Sequence, residues 1–144
     1  MSQMLGLGRL FNLGVSITTA KSRFAMRDYD QVGILMVGAT AVSNLTLNEC
    51  NAASAGTEQA LAVVTQYWTQ AVAGTTTAWT RVTQAAASTV PSINGGLTYF
   101  EVSGVSMSDG FGWLDATHAT ATMIFVLHSL DVRRAPESLR SAAI

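Results

Sequence analysis

Near the end of the chain, seven residues read Thr122-Met123-Ile124-Phe125-Val126-Leu127-His128. Successive side chains of a β-strand point to opposite faces, so Met123, Phe125 and Leu127 share one face. The two residues between them, Ile124 and Val126, are also apolar and share the other face. A strand that is apolar on both faces is typical of the middle of a sheet. The stretch therefore predicts a central strand.

Further strands are predicted towards the N-terminus. Leu45 and Leu47 alternate with polar residues, which is typical of a strand with one buried face. Other segments rich in β-branched and aromatic residues are 15–18, 23–27, 32–37, 60–69, 78–83, 97–102 and 111–114. The sequences Asn94-Gly95-Gly96 and Asp109-Gly110 are strong turn signals. About eight strands at regular spacing, without a long helix, predict an all-β, jelly-roll-like β-sandwich.

Two terminal segments flank the predicted sandwich of residues 15–132. Residues 1–14 are apolar but contain three glycines, which favours an extended N-terminal arm over a stable helix. Residues 133–144 begin with Arg133 and Arg134, and Pro136 stands at a position where a short helix can begin. We expect this C-terminal tail to be frayed or to become ordered on a partner.

The composition indicates a surface with few charged residues. Charged residues make up 12% of the chain, about half of the usual fraction. Small neutral residues take their place, and these lose little hydration when another surface covers them. A surface of this kind favours packing against neighbouring molecules. No apolar run reaches the length that spans a bilayer, and no dense stripe of Lys and Arg exists to bind nucleic acid.

The sequence offers little catalytic chemistry. His118 and His128 have no acidic companion at catalytic or metal-ligand spacing; we expect His118 to be exposed and His128 to end a strand. Cys50 is the only cysteine and is interpreted as structural, in keeping with synthesis in the cytoplasm. Asp28 and Asp30 are explained by a turn better than by a cation site. We therefore expect neither an enzyme nor a metal or cofactor.

The aromatic side chains leave three interpretations open: a sandwich core, a protein interface or a platform for sugars. Tyr67 and Trp68 are adjacent, so in a strand their rings point to opposite faces. One of the two is therefore expected at a surface. Tyr and Trp are enriched in interfaces because they combine a large area with a polar tip.

The chain also resembles a known family in two segments. Residues 21–35, which include Asp28-Tyr29-Asp30, resemble the opening of small virion proteins of tailed phages, where a short strand, a turn and a hydrophobic strand follow one another. Residues 123–130, followed by Arg133-Arg134, are similar to the last strand and exit of those proteins. In length and strand rhythm, the chain resembles capsid cement (decoration) proteins.

The resemblance implies a structural virion protein on the capsid exterior that cements neighbouring major capsid protein subunits. It also implies contacts with further copies of the chain, as a homodimer or homotrimer across capsid symmetry axes. A tail or connector subunit and a host-glycan-binding spike module are the alternatives. The predicted interface residues are Leu5, Leu7, Arg9, Leu10, Phe11, Trp68, Arg133 and Arg134.

Overall fold

A computed structural model of the protein describes residues 14–17, 21–26, 29–72 and 76–130. This part of the chain contains eleven strands and one short 3-10 turn, Gly104–Ser106. None of its helical residues form a segment with the length and apolar character needed to cross a membrane. The strands are β1 (Gly14–Ile17), β2 (Lys21–Ala25), β3 (Tyr29–Val37), β4 (Asn44–Cys50), β5 (Glu58–Ala60), β6 (Val64–Gln70), β7 (Thr80–Ala87), β8 (Thr89–Pro91), β9 (Leu97–Ser103), β10 (Trp113–Thr117) and β11 (Thr122–Leu130).

The strands form two antiparallel sheets. The six-stranded sheet has the order β1-β11-β3-β9-β6-β7, and the other sheet has the order β2-β10-β4-β5, with β8 also paired to β4. Without β6, β7 and β8, the two sheets have the orders β1-β11-β3-β9 and β2-β10-β4-β5, which is the order of two interlocked Greek keys. This is the jelly-roll arrangement. The predicted all-β sandwich is therefore confirmed.

The β6–β8 segment is an insertion between the fifth and sixth strands of the jelly roll. The single long strand predicted over residues 60–69 is wrong, because the structure divides it into β5 and β6. Between them, the backbone N–H of Val63 donates to the carbonyl of Leu61, which closes a turn two residues apart. Leu61 is buried. The turn carries the chain from the smaller sheet to the six-stranded sheet.

The core lies between the two sheets. Met123, Phe125 and Leu127 of β11 are completely buried, while Ile124 and Val126 lie half-buried on the opposite face. The central placement of this strand, between β1 and β3, is thus confirmed. The strand continues two residues past His128, so His128 does not end it.

One aromatic contact joins the two layers. The ring of Phe24 on β2 lies 4.1 Å from that of Phe125 on β11, centroid to centroid, with the ring planes tilted by 46°. The two strands belong to different sheets. This pair therefore packs β2, at the edge of the smaller sheet, against the six-stranded sheet.

Residues 1–13 and 131–144 lie outside the described residues, and with them nearly all of the predicted arm and the whole predicted tail. Gly14, which was assigned to the arm, is the first residue of β1 and pairs with Phe125. Tyr29 begins β3, and its N–H donates to the carbonyl of Met26 across the predicted turn.

Candidate binding cleft

A row of large side chains crosses the outer face of the six-stranded sheet. Leu35 on β3 pairs directly with Tyr99 on β9, and Tyr99 pairs with Trp68 on β6. On the far side of Trp68, its partner on β7 is Arg81, which is exposed. Because directly paired residues point to the same face, these side chains are neighbours on one surface.

Trp79 turns this row into a cleft. It immediately precedes β7 and remains 45% exposed, which is high for so large an apolar side chain. With Leu35, Trp68, Tyr99 and Glu101 it lines a cleft of about 510 Å³. The rings of Trp68 and Tyr99 have their centroids 6.2 Å apart and are tilted by 41°, so they form a corner and not a flat stack.

Glycine at position 33 makes room for one wall of this cleft. Gly33 on β3 pairs with Glu101 on β9, two residues along each strand from the Leu35–Tyr99 pair. A Cβ atom on Gly33 would lie 2.9 Å from the Tyr99 hydroxyl oxygen and 3.2 Å from a carbon of its ring. The Tyr99 ring therefore lies across the bare backbone of β3, where a larger residue would displace it.

The polar end of the cleft is a single hydrogen-bonded pair. The Tyr99 hydroxyl donates to a carboxylate oxygen of Glu101 over 2.6 Å. Burial and the neighbouring Glu101 carboxylate raise the pKa of Tyr99. The phenol therefore stays protonated at neutral pH and keeps Glu101 oriented.

The approach to Trp79 is also held in place. The side-chain amide of Gln70 donates to the carbonyl of Thr77 over 2.5 Å, which links the end of β6 to the segment before β7. Gln70 is 7% exposed. This contact limits how far the segment that carries Trp79 can move away from the sheet.

The structure tests the placement of one predicted interface residue. Tyr67 points into the core and is 8% exposed, whereas Trp68 lies half-buried on the outer face, as the alternation predicted. The other predicted interface residues are outside the described residues, and their role stays a prediction: Leu5, Leu7, Arg9, Leu10, Phe11, Arg133 and Arg134. Sequence reasoning missed Gly33, Leu35 and Glu101. Of these, only Glu101 had a signal, because it is two residues from Tyr99 in a strand.

The expectation that His118 is exposed is wrong. Its side chain is 1% exposed. The ring Nδ1 accepts hydrogen bonds from the backbone N–H of Thr120 at 3.1 Å and of Ala121 at 2.9 Å. Nδ1 accepts twice, so the proton resides on Nε2, which donates to Ser43 Oγ at 3.1 Å. A neutral His118 thus closes the turn before β11 and joins it to Ser43, the residue that precedes β4.

This arrangement predicts a pH dependence of stability. Burial lowers the pKa of His118 below its ordinary value of 6.5. The unfolded chain therefore takes up a proton, between pH 6.5 and the lower folded-state pKa, that the folded protein does not. The stability that neutral His118 contributes is fully present above pH 6.5. As the pH falls below 6.5 towards the folded-state pKa, the free energy of unfolding decreases by up to about 1.4 kcal/mol per pH unit.

Urea unfolding at steps from pH 7.5 to pH 5.0 measures this slope. A His128→Gln background removes the other histidine, and His118→Asn in that background removes the titrating group. A slope that persists in the His118→Asn protein, or no slope in the background, contradicts the assignment.

A second cluster of polar groups lies on the outer face of the smaller sheet. Cys50, Glu58 and Asp115 have ligand-type atoms within 4.8 Å of one another, a spacing that suits a metal ion. The guanidinium of Arg23 forms salt bridges with both carboxylates, including one of 2.9 Å to Asp115. A fixed positive charge thus occupies the place that a cation would take. Cys50 is buried, which agrees with its interpretation as structural.

Glu49 is a further buried carboxylate with a structural task. It accepts hydrogen bonds from the Gln59 amide and from both the backbone N–H and the hydroxyl of Ser108. Burial raises its pKa, but these hydrogen bonds outweigh burial and the net pKa is lowered. The ionised Glu49 therefore anchors the loop after the 3-10 turn to β4.

Comparison with known proteins found no family model, curated protein or solved structure that matches the chain. The class of protein is therefore defined by its own architecture: an all-β jelly-roll sandwich with a β6–β8 insertion and an aromatic cleft on its outer face.

Proposed function

We propose that the protein is a structural virion protein that binds the outside of an assembled phage capsid and cements neighbouring major capsid protein subunits. The family resemblance of residues 21–35 and 123–130 suggests this role. The observation that carries the proposal furthest is that the start of β1 and the end of β11 lie at the same end of the six-stranded sheet.

The start of β1 and the end of β11 point to the same end of the six-stranded sheet. The two strands are antiparallel neighbours, with Gly14 opposite Phe125 and Ile17 opposite Thr122. Residues 1–13 precede Gly14, and residues 131–144 follow Leu130. The apolar arm and the tail with Arg133 and Arg134 therefore attach at one end, where both can engage the same partner.

A groove of about 330 Å³, lined by apolar side chains and by Asp30, lies at this end of the sandwich. Tyr29 lines it and is paired with Leu130, the last residue of β11. Val105, in the 3-10 turn after β9, is 84% exposed beside it. Met107 and Phe111 line the groove as well. Exposed apolar groups next to two attachment points support a docking role for this end.

The basic residues of the chain are expected to have different partners. The N-terminal part of the chain is basic and the middle is acidic, but Arg23 meets its carboxylates, Asp115 and Glu58, within the same sandwich. We expect Arg9, Arg133 and Arg134, which lie outside the described residues, to pair with carboxylates on the capsid surface.

Deletion of residues 1–12 tests the proposal. We expect the truncated protein to keep the melting temperature of the full chain, because the described strand pairing begins at Gly14. Loss of even two anchoring apolar side chains would weaken capsid binding by about 100-fold or more. Cosedimentation with empty capsids measures binding and the copy number.

The full chain should bind in hundreds of copies and raise the temperature at which capsids disrupt, since it binds the assembly and not loose subunits. Trp79→Ala, which alters the sheet face and not the docking end, serves as the matched control and should bind normally. Unchanged binding by the truncated protein contradicts the role of the arm. Binding of only a few copies at one vertex would favour a tail or connector subunit instead.

A host-glycan-binding spike module is the second candidate, and the aromatic cleft is the observation that favours it. Exposed rings such as Trp79 can stack on the apolar face of a sugar. Quenching of tryptophan fluorescence by a saccharide, abolished in Trp79→Ala, would support this candidate.

A further inference from the structure

We propose that the cleft lined by Leu35, Trp68, Trp79, Tyr99 and Glu101 binds a quaternary ammonium group, as carried by choline or by trimethylated lysine. This inference does not depend on capsid binding. It rests on the combination of ring faces, a carboxylate and an otherwise apolar lining in one cleft on the outer sheet face.

The lining matches a cation that needs no hydrogen bonds. Aromatic rings carry negative charge on their faces and attract a cation within about 6 Å of the ring centroid. Three such rings, those of Trp68, Trp79 and Tyr99, line the cleft. The 6.2 Å spacing and 41° tilt of Trp68 and Tyr99 form a corner in which one group can contact both rings.

The remaining lining residues supply charge and apolar contact. Glu101 is exposed and adds a full negative charge, and its orientation is set by the hydrogen bond from Tyr99. Leu35 offers an apolar surface for methyl groups. A quaternary ammonium group is only weakly hydrated and presents methyl groups on all sides, so that this cleft satisfies both its charge and its surface.

A sugar is a poorer match for the same lining. Several hydroxyl groups of a bound sugar need hydrogen-bond partners, because buried polar groups without partners are unfavourable. The polar side chains that line the cleft are Glu101 and Tyr99 together with the indole N–H groups, and the Tyr99 hydroxyl already donates to Glu101. One remaining carboxylate fits a cation better than a ring of hydroxyls.

Substitution of Arg81 tests whether the ligand of the cleft is positively charged. It is exposed and lies opposite Trp68 on the same sheet face, but does not line the cleft. Its positive charge opposes a cationic ligand. Arg81→Gln should therefore strengthen binding of a quaternary ammonium group, whereas an acidic partner would bind more weakly to the same variant.

The experiment is a titration of the full chain with choline chloride at constant ionic strength, followed by tryptophan fluorescence and calorimetry. We expect a Kd of about 1 mM, typical of so small a ligand. The matched control ligand is 3,3-dimethylbutan-1-ol, which has the shape of choline without the charge. It should bind at least about tenfold more weakly.

Four variants locate the site. Trp79→Ala and Glu101→Gln should each weaken choline binding by about fivefold or more. Arg81→Gln should strengthen it up to about threefold, and Val105→Ala, at the docking end, should leave it unchanged. Melting temperatures within a few degrees of the parent show that the variants are folded.

Equal binding of choline and its neutral analogue would overturn the proposal, as would binding of a saccharide but not of choline. Self-association of the chain that Trp79→Ala abolishes, in the absence of choline binding, would assign the cleft to a second copy. Once choline binds, phosphatidylcholine vesicles and a trimethyllysine peptide distinguish the two sources of the group.

Discussion

Replacing Arg23 with methionine lowers the free energy of unfolding by about 3–5 kcal/mol, because the change leaves the buried carboxylate of Asp115 without its positive partner. Asp115 is 1% exposed. The guanidinium donates to Asp115 through Nε at 3.3 Å and through a terminal nitrogen at 2.9 Å, and it also forms a salt bridge with Glu58. The hydrogen bond with Asp115 raises the pKa of Arg23, which favours the charged guanidinium.

Arg23 also connects parts of the fold that are far apart in sequence. A terminal nitrogen donates to the carbonyls of Ala52 at 3.0 Å and Ala53 at 3.2 Å, in the loop between β4 and β5. The side chain itself belongs to β2, at the edge of the smaller sheet. Loss of Arg23 therefore releases this loop from β2 and β10. It also leaves the buried carboxylate of Asp115 without a positive partner.

Urea unfolding of four proteins measures the effect: the parent, Arg23→Met, Asp115→Leu and the double variant. The double variant should recover at least half of the loss of the worse single variant, since it removes both charges from the interior. Arg81→Met on an exposed strand is the control and should change stability by less than about 0.5 kcal/mol. A loss below about 1 kcal/mol in Arg23→Met would show that the network contributes little.

Replacing Phe125 with alanine should also cost about 3–5 kcal/mol, because it opens a cavity between the two sheets. Phe125 and Phe24 are both at most 1% exposed, and their rings are 4.1 Å apart across the layers. Neighbouring strands hold the backbone of β11 on both sides. The sheets therefore cannot approach each other freely to fill the space.

Phe125→Leu is the matched control, because it keeps most of the apolar volume and should cost less than half as much. Phe24→Ala combined with Phe125→Ala should show a coupling of about 0.5–1.5 kcal/mol, as expected for a tilted aromatic pair. Thermal and urea unfolding give these values. Additive losses in the double variant would mean that the two rings contribute independently.

The local alternation of residues explains why the strands were predictable. In β11, the two-residue period alone placed Met123, Phe125 and Leu127 on one face, and the structure shows that this face lies in the core. The division of residues 60–69 between two sheets was not predictable in this way. It depends on the turn at Leu61, whose N–H donates to the carbonyl of Leu47, and that contact exists only once β4 is in place.

The same distinction applies to the candidate sites. Tyr67 and Trp68 are adjacent in a strand, so the sequence showed that their rings point to opposite faces. Which of the two lies on the outer face was decided by the tertiary structure. The burial of His118 was missed because its partner Ser43 is 75 residues away in the chain. Likewise, Arg23 and Asp115 are 92 residues apart, and nothing local marks them as a pair.

By itself, the sequence determined that this protein is an all-β sandwich, which residues of a strand share a face, and that its surface carries few charges. These properties depend on alternation and composition, which act over a few neighbouring residues. The tertiary structure alone decided that Leu35, Tyr99 and Trp68 form one row, that Glu101 lies opposite Gly33, and that Trp79 completes a cleft. Strand order and register decide such neighbours, and both arise from hydrogen bonds between segments that are distant in the chain.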